Sequence, residues 1–268
     1  MTTQVFLLIL VIAFILDVSV CEIIERSKRE QIATCSMECE GQWKSEFEMN
    51  FQKLFDTSYF EVPIDPVILG SLATLRSFCS STKQKFKCLR EECGIKKNSW
   101  SPERYVCLEK LDKFEKNIKC LQKTNPVVQK QCLEACSNLT TEFSTQELNY
   151  MRGLRLTNGE KAVFYEQNRH CHFIGCHQMC HDFVISKACP LQTTETRSTI
   201  NEYYNEYLKL EHQSLVDEKE EKLFSSFCRR ITSKLNEDIP NFNMTAINSA
   251  TLNVIMKKIE KALFMYTF

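Results

Sequence analysis

Four of the five histidines and three of the fifteen cysteines fall in one short run, His170-Cys171-His172-Phe173-Ile174-Gly175-Cys176-His177-Gln178-Met179-Cys180-His181. Imidazole and thiolate are the usual zinc ligands of proteins. His177 and His181, four apart, fall on one helical face, as the two histidines of a zinc peptidase HExxH motif do. The second position of that motif needs a glutamate, and here it is Gln178. A carboxamide cannot take a proton from metal-bound water. The candidate metal ligands are therefore His177 and His181 without the base that peptidase chemistry requires, and whether the neighbouring cysteines are thiolates depends on the compartment.

The N-terminal residues address the compartment. Val5 to Leu16 is an unbroken apolar run, followed by Asp17-Val18-Ser19-Val20-Cys21. This pattern predicts a secretory signal over residues 1–21, with cleavage after Cys21. As a helix the run would rise about 18 Å, short of the ~30 Å of a hydrocarbon core. The expected product is secreted and extracellular, with no membrane insertion after signal removal. Residues 22–34 form an N-terminal segment. Within it, Arg26-Ser27-Lys28-Arg29 has the form of a dibasic processing site, and equally of a charged start to the first helix.

Fourteen cysteines remain after such a cut: Cys35, Cys39, Cys79, Cys88, Cys93, Cys107, Cys120, Cys132, Cys136, Cys171, Cys176, Cys180, Cys189 and Cys228. An even set in an oxidising compartment predicts disulfides in place of metal ligands or redox catalysts. Cystine sulfur is a poor zinc ligand, so no metal and no cofactor are expected, and the histidines are expected at the surface. An exposed cluster of this kind would gain charge as pH falls through about 6.5. Cys228, followed by Arg229-Arg230, is the candidate for a stabilised thiolate, against the reading of a tether from the C-terminal helices to the cysteine-rich part. Asn138-Leu139-Thr140 and Asn243-Met244-Thr245 are sequons, making Asn138 and Asn243 the N-glycosylation candidates.

The elements that must hold these side chains are helical. The chain has 268 residues with six glycines and six prolines, well under the usual ~7% and ~5%, too few for the turns of a sandwich or barrel. Apolar or cysteine residues recur at three and four through Ile32, Cys35, Cys39, Trp43, Phe47, Phe51 and Leu54. Asp65-Pro66 opens a second stretch that runs to Gly94 with an expected break at Ser80-Ser81. Ser101-Pro102-Glu103 starts a third, and Asn125-Pro126 a fourth, expected to be its antiparallel neighbour. Residues 140–168, with Gly153 and Asn158-Gly159, read as a loop. Cys171 to Cys189 reads as a fifth helix ended by Pro190, Leu191 to Ser198 as a linker, and Tyr203, Tyr204 and Tyr207 as a core stripe. The expected fold is all-α, a disulfide-stapled helical array over residues 35–190 with a helical C-terminal extension over 191–268.

Three cysteine pairs are spaced by four: Cys35/Cys39, Cys132/Cys136 and Cys176/Cys180. On a helix such pairs lie about 5–6 Å apart at Cβ, wider than the ~3.5–4.5 Å of a disulfide. Each is expected to join a neighbouring helix at two levels. Which pair meets which stays open, because fourteen cysteines allow on the order of 10⁵ pairings.

Thirty-four basic against thirty-four acidic residues give a formal net charge of zero, which provides no field for nucleic acid. The mixed run Asp217 to Lys222 reads as a solvated helix face. No GxSxG, phosphate-binding glycine loop or GxGxxG occurs. The chain is not expected to be an enzyme.

The cysteine order resembles a known domain. Cys35-x3-Cys39 is followed by Phe78-Cys79, Phe86-x-Cys88-Leu89-x3-Cys93, Tyr105-Val106-Cys107-x-Glu109, Cys120-Leu121, Gln131-Cys132-x3-Cys136 and Cys171-x4-Cys176-x3-Cys180-x8-Cys189. Over about residues 35 to 195 this resembles the chondroitin proteoglycan 4 domain of secreted nematode proteins. The resemblance implies a non-enzymatic matrix or interaction protein with an extracellular protein or glycan partner. Chondroitin chains in that family are attached at Ser-Gly, a dipeptide this chain lacks. A second expectation is a carrier enclosing a lipid or small hydrophobic ligand, and a third is a metal-dependent enzyme at His170 to His181.

Overall fold

A computed structural model describes residues 2–56, 64–96, 100–139, 145–217, 221–223 and 228. Helices occupy most of them, and no strand occurs among them. They are α1 (Thr2–Phe51), α2 (Pro66–Leu69), α3 (Leu72–Glu91), α4 (Pro102–Arg104), α5 (Leu111–Val127), α6 (Leu133–Leu139), α7 (Thr145–Gly153), α8 (Asn158–Ala188) and α9 (Thr193–Asp217). The fold is all-α and disulfide-stapled. No helix of the described residues is long and apolar enough to cross a membrane. The chain divides into two compact units, residues 1–55 with 80–99, and residues 56–79 with 100–268.

The smaller unit is organised by the stripe read from the sequence. Cys39, Trp43 and Phe47 of α1 are buried, as are Phe86, Leu89 and Cys93. The stripe ends sooner than expected, since Leu54 is 81% exposed. Gln52, at φ 52°, terminates α1, and Phe55 folds back with its ring 5.0 Å from Trp43 and 5.5 Å from Phe47. Two disulfides, Cys35–Cys93 and Cys39–Cys88, fasten α1 to the end of α3. Gly94 adopts φ 69°, a left-handed conformation that glycine takes without a Cβ clash, and the chain reverses so that the Ile95 amide donates to the Leu89 carbonyl.

Asp65 caps α2 by accepting from the Val67 amide at 2.7 Å. The expected break at Ser80-Ser81 does not occur, and the interruption comes earlier, at Gly70-Ser71. A Cβ on Gly70 would stand 2.6 Å from the Pro66 carbonyl oxygen. Ser71 and Thr74 then start α3 with reciprocal amide-to-hydroxyl bonds of 2.8 and 2.9 Å. Ser81 and Thr82 stay helical and buried, and the Thr82 hydroxyl accepts from Trp43 Nε1 at 3.2 Å.

The larger unit departs most from the sequence pattern. Pro102 begins α4, which widens into a π-helical turn at Tyr105–Glu109 before α5. Pro126 does not begin a new helix. It lies inside α5, which passes through a second π-helical turn, Val128–Cys132, straight into α6. A proline crowds the carbonyl one turn back and has no N–H to offer, and a widened turn follows it directly. The third and fourth expected helices are thus one interrupted rod and not antiparallel neighbours.

Of the expected loop 140–168, residues 140–144 lie outside the described residues and the rest is mostly helical, because α7 and the first turns of α8 occupy 145–153 and 158–168. Thr157 and Glu160 form a capping box: the Glu160 amide donates to Thr157 Oγ1 at 3.3 Å, and the Thr157 amide to Glu160 Oε2 at 2.9 Å. Asn158-Gly159 therefore opens a helix where a turn was expected. The expected linker after Pro190 is equally short, with α9 beginning at Thr193. Residues 229–268, within the expected C-terminal extension, lie outside the described residues.

α5, α8 and α9 pack together around Phe114, Leu121, Ile174, Tyr203 and Tyr204, all buried. A polar seam sits among these rings. Buried Asn117 of α5 donates to Thr199 Oγ1 at 3.2 Å and accepts from Thr196 Oγ1 at 2.7 Å. With both its amide nitrogen and oxygen bonded, Asn117 avoids the cost of a buried unpaired polar group.

Candidate functional site

Helix α8 carries the histidine and cysteine run and fixes each of its residues through a different neighbour. Its N-terminus is set by the capping box, and Lys222 Nζ lies 2.6 Å from Glu160 Oε1. The Lys222 ammonium and the Thr157 bonds hold the Glu160 carboxyl down to about 2. Along the helix, Cys171 bonds to Cys228, Cys176 to Cys136 and Cys180 to Cys132. Cys132/Cys136 and Cys176/Cys180 are thus two four-spaced pairs joined to each other in antiparallel order. Cys79–Cys107 and Cys120–Cys189 complete seven disulfides that include all fourteen cysteines from Cys35 onward. Cys228 is a tether, its sulfur bonded and therefore unable to act as a nucleophile.

The four histidines separate into two kinds. His170 and His172 are partly exposed, and His172 Nε2 lies 2.6 Å from Oε1 of buried Glu147 on α7. His177 and His181 are buried, at 0% and 2% exposure, which corrects the expectation of surface histidines. Both turn Nδ1 toward one phenol: the Tyr204 hydroxyl is 2.9 Å from His177 and 3.3 Å from His181. A hydroxyl has one proton to donate. Tyr204 can donate to only one ring, and the other must donate its own Nδ1–H to the phenol oxygen, so the two imidazoles adopt opposite tautomers. Burial makes the charged form costly and lowers both to about 3. The same burial raises Tyr204. Nε2 of each imidazole is buried with no hydrogen-bond partner among the described residues.

The position where a zinc peptidase would place its base is committed elsewhere, since the Gln178 amide donates to Asn201 and Asn205 of α9 at 3.2 and 3.3 Å. Among the described residues, the one group of three potential metal ligands is Cys35, Cys39 and Cys93, and their sulfurs are in disulfides. His177 and His181 are thus brought together, but with Tyr204 and not with a third ligand. Sequence reasoning placed Tyr204 in the core without identifying it as the shared partner. Its position one helical turn from Tyr207 and Ile200 was the available signal.

Toward the N-terminal end of α8, Tyr165, Glu166, Arg169, His170 and Phe173 line an open groove of about 590 Å³ that reaches Ser137 of α6, and the Phe173 ring lies 5.5 Å from that of His177. It offers aromatic faces beside one carboxylate and one guanidinium. Asn138 falls in α6 and its sequon extends into residue 140, outside the described residues, while Asn243 lies within the undescribed 229–268.

A profile of the family described as Uncharacterized protein B0403.3 matches residues 35–267. A Caenorhabditis elegans protein with that same description is 43% identical over 219 residues, 82% of this chain and 81% of the relative. No solved structure matches.

Proposed function

Because the chain belongs to the family described as Uncharacterized protein B0403.3, a group named without an activity, we propose a role from the chain's own chemistry: a secreted, non-enzymatic component of the extracellular matrix or an extracellular interaction protein. The observation that carries this reading is the complete pairing of fourteen cysteines into seven disulfides, a state that persists in oxidising compartments. The apolar run Val5 to Leu16 supports a secretory signal. The resemblance of the cysteine order to the chondroitin proteoglycan 4 domain supports a matrix setting, and the lack of Ser-Gly supports a member without chondroitin attached at that dipeptide. A non-enzymatic role fits histidines whose Nδ1 atoms are engaged by Tyr204 and a Gln178 committed to helix packing. The groove beside Tyr165, Arg169 and Phe173 is the surface proposed for a protein or glycan partner.

Intact mass of the protein collected from culture medium tests the reading. Alkylation should label no cysteine of the mature chain before reduction and fourteen after it, and chondroitinase should leave the mass unchanged. Free thiols in the native protein, or retention inside the cell, would overturn it.

A further inference from the structure

We infer that the chain is cut on the carboxyl side of Arg29 by a dibasic-directed endoprotease, so that the working protein begins at Glu30. This rests on the secreted reading above and adds a modification site to it. Arg26-Ser27-Lys28-Arg29 places basic side chains at the first, second and fourth positions before the Arg29–Glu30 bond, the pattern that suits an acid-lined protease cleft. In the step, water adds hydroxyl to the Arg29 carbonyl carbon and a proton to the Glu30 nitrogen as the peptide bond between them breaks. No other reactant is needed.

Placement in the fold favours this bond. Arg26 to Gln31 are all exposed, Ile32 is half-buried, and the first buried side chain between Arg26 and the core is Cys39. Arg26 pairs with Glu30 at 3.2 Å between side chains 83% and 70% exposed, and the Thr34 hydroxyl donates to the Glu30 carbonyl. Both are contacts within a single helix at the water surface, where pairs of this kind stabilise weakly. A protease must draw several residues into an extended strand, and a helix is easiest to open where its bonds are local and solvated. Beyond the site the helix is fixed: Cys35 is bonded to Cys93, and Cys39 to Cys88. The unwinding needed for cleavage can stop before the first bridge.

What the cut leaves intact points the same way. The family match begins at residue 35, so cleavage at 29 keeps the whole matched segment with a short leader. It also exchanges a cationic stretch for a helix that starts with Glu30, and a carboxylate in the first turn suits the positive end of a helix dipole.

The test is the N-terminal sequence and intact mass of full-length protein secreted by a eukaryotic host, with Arg29→Ala and Lys28→Ala/Arg29→Ala variants. Wild type should begin at Glu30, and the variants should begin at or near Glu22 with an otherwise unchanged disulfide map. A wild-type secreted protein beginning at Glu22 would overturn the cleavage while leaving secretion standing. A chain retained in the cell with Met1 or its reduced thiols present would overturn both. Purified unprocessed protein incubated with a dibasic endoprotease gives an independent reading. A single cut at Arg29 is expected, and resistance there with cutting elsewhere would count against the site.

Discussion

The Tyr204 hydroxyl lies 2.9 Å from Nδ1 of His177 in the packed contact between α8 and α9, and it also serves His181 at 3.3 Å. Two donors satisfy the two contacts, the phenol O–H toward one ring and an Nδ1–H of the other toward the phenol oxygen, and the Nε2 atoms are buried without partners among the described residues. Helices α8 and α9 are therefore held by a contact that tolerates no added charge.

Acid should weaken the fold through these rings. Both histidines are lowered to about 3 when folded, against about 6.5 in an unfolded chain. Between those values the unfolded state binds more protons, so stability rises with pH there and is lost as pH falls from 6.5 toward 3. Each ring contributes up to ~1.4 kcal/mol per pH unit within that window. Guanidinium midpoints measured at pH 7.5 and 5.0 should show a marked loss at the lower pH. A His177→Gln variant should show about half the pH dependence, and an equal dependence would contradict the assignment.

Tyr204→Phe removes the shared hydroxyl and leaves at least one buried Nδ1 unpaired. Such a group costs roughly 1–3 kcal/mol, expected as a lower midpoint at neutral pH. Guanidinium midpoints of wild type and variant at pH 7.5 check it, and an unchanged midpoint would contradict the shared bond.

The first turn of α8 depends on Thr157. Thr157→Ala removes the capping hydroxyl, for which a loss of ~1 kcal/mol is typical, and it frees the Glu160 carboxylate from one partner. Hydrogen exchange should speed up at the amides of 158–162 and remain unchanged near Cys180. Uniform protection across α8 would show that the capping box does not set this terminus.

Much of this architecture was legible in the sequence. The stripe Cys39, Trp43, Phe47 and the tyrosine stripe of α9 are buried as periodicity requires, because one face of a helix must leave water. The misreadings share a cause: a local signal with two meanings, settled by tertiary context. Asn158-Gly159 is turn-prone, but Thr157 and Glu160 bracket it as a helix start. Pro126 is a helix starter in isolation, yet α5 continues past it with Asn125 Nδ2 donating to the Ile64 carbonyl at 3.3 Å. His177 and His181 carry no sequence mark of burial, since the phenol that accommodates them comes from α9, more than twenty residues away.

The double bridge Cys132–Cys180 and Cys136–Cys176 provides the most direct check on this arrangement. Spacing showed that each four-spaced pair must look outward to another helix, but not which one. The structure joins two such pairs with their order reversed, which only antiparallel helices allow. Tryptic mapping without reduction should recover one cross-linked fragment of three peptides containing Cys132, Cys136, Cys171, Cys176, Cys180 and Cys228, and partial reduction should assign Cys132–Cys180 and Cys136–Cys176 within it. Removing one bridge with Cys136→Ala/Cys176→Ala should cost about 2–4 kcal/mol. The second bridge, one turn away, should keep the helices in register, so that the remaining six pairs form unchanged. A map that instead linked Cys132 to Cys176 would require a different helix register and would overturn the described packing of α6 on α8.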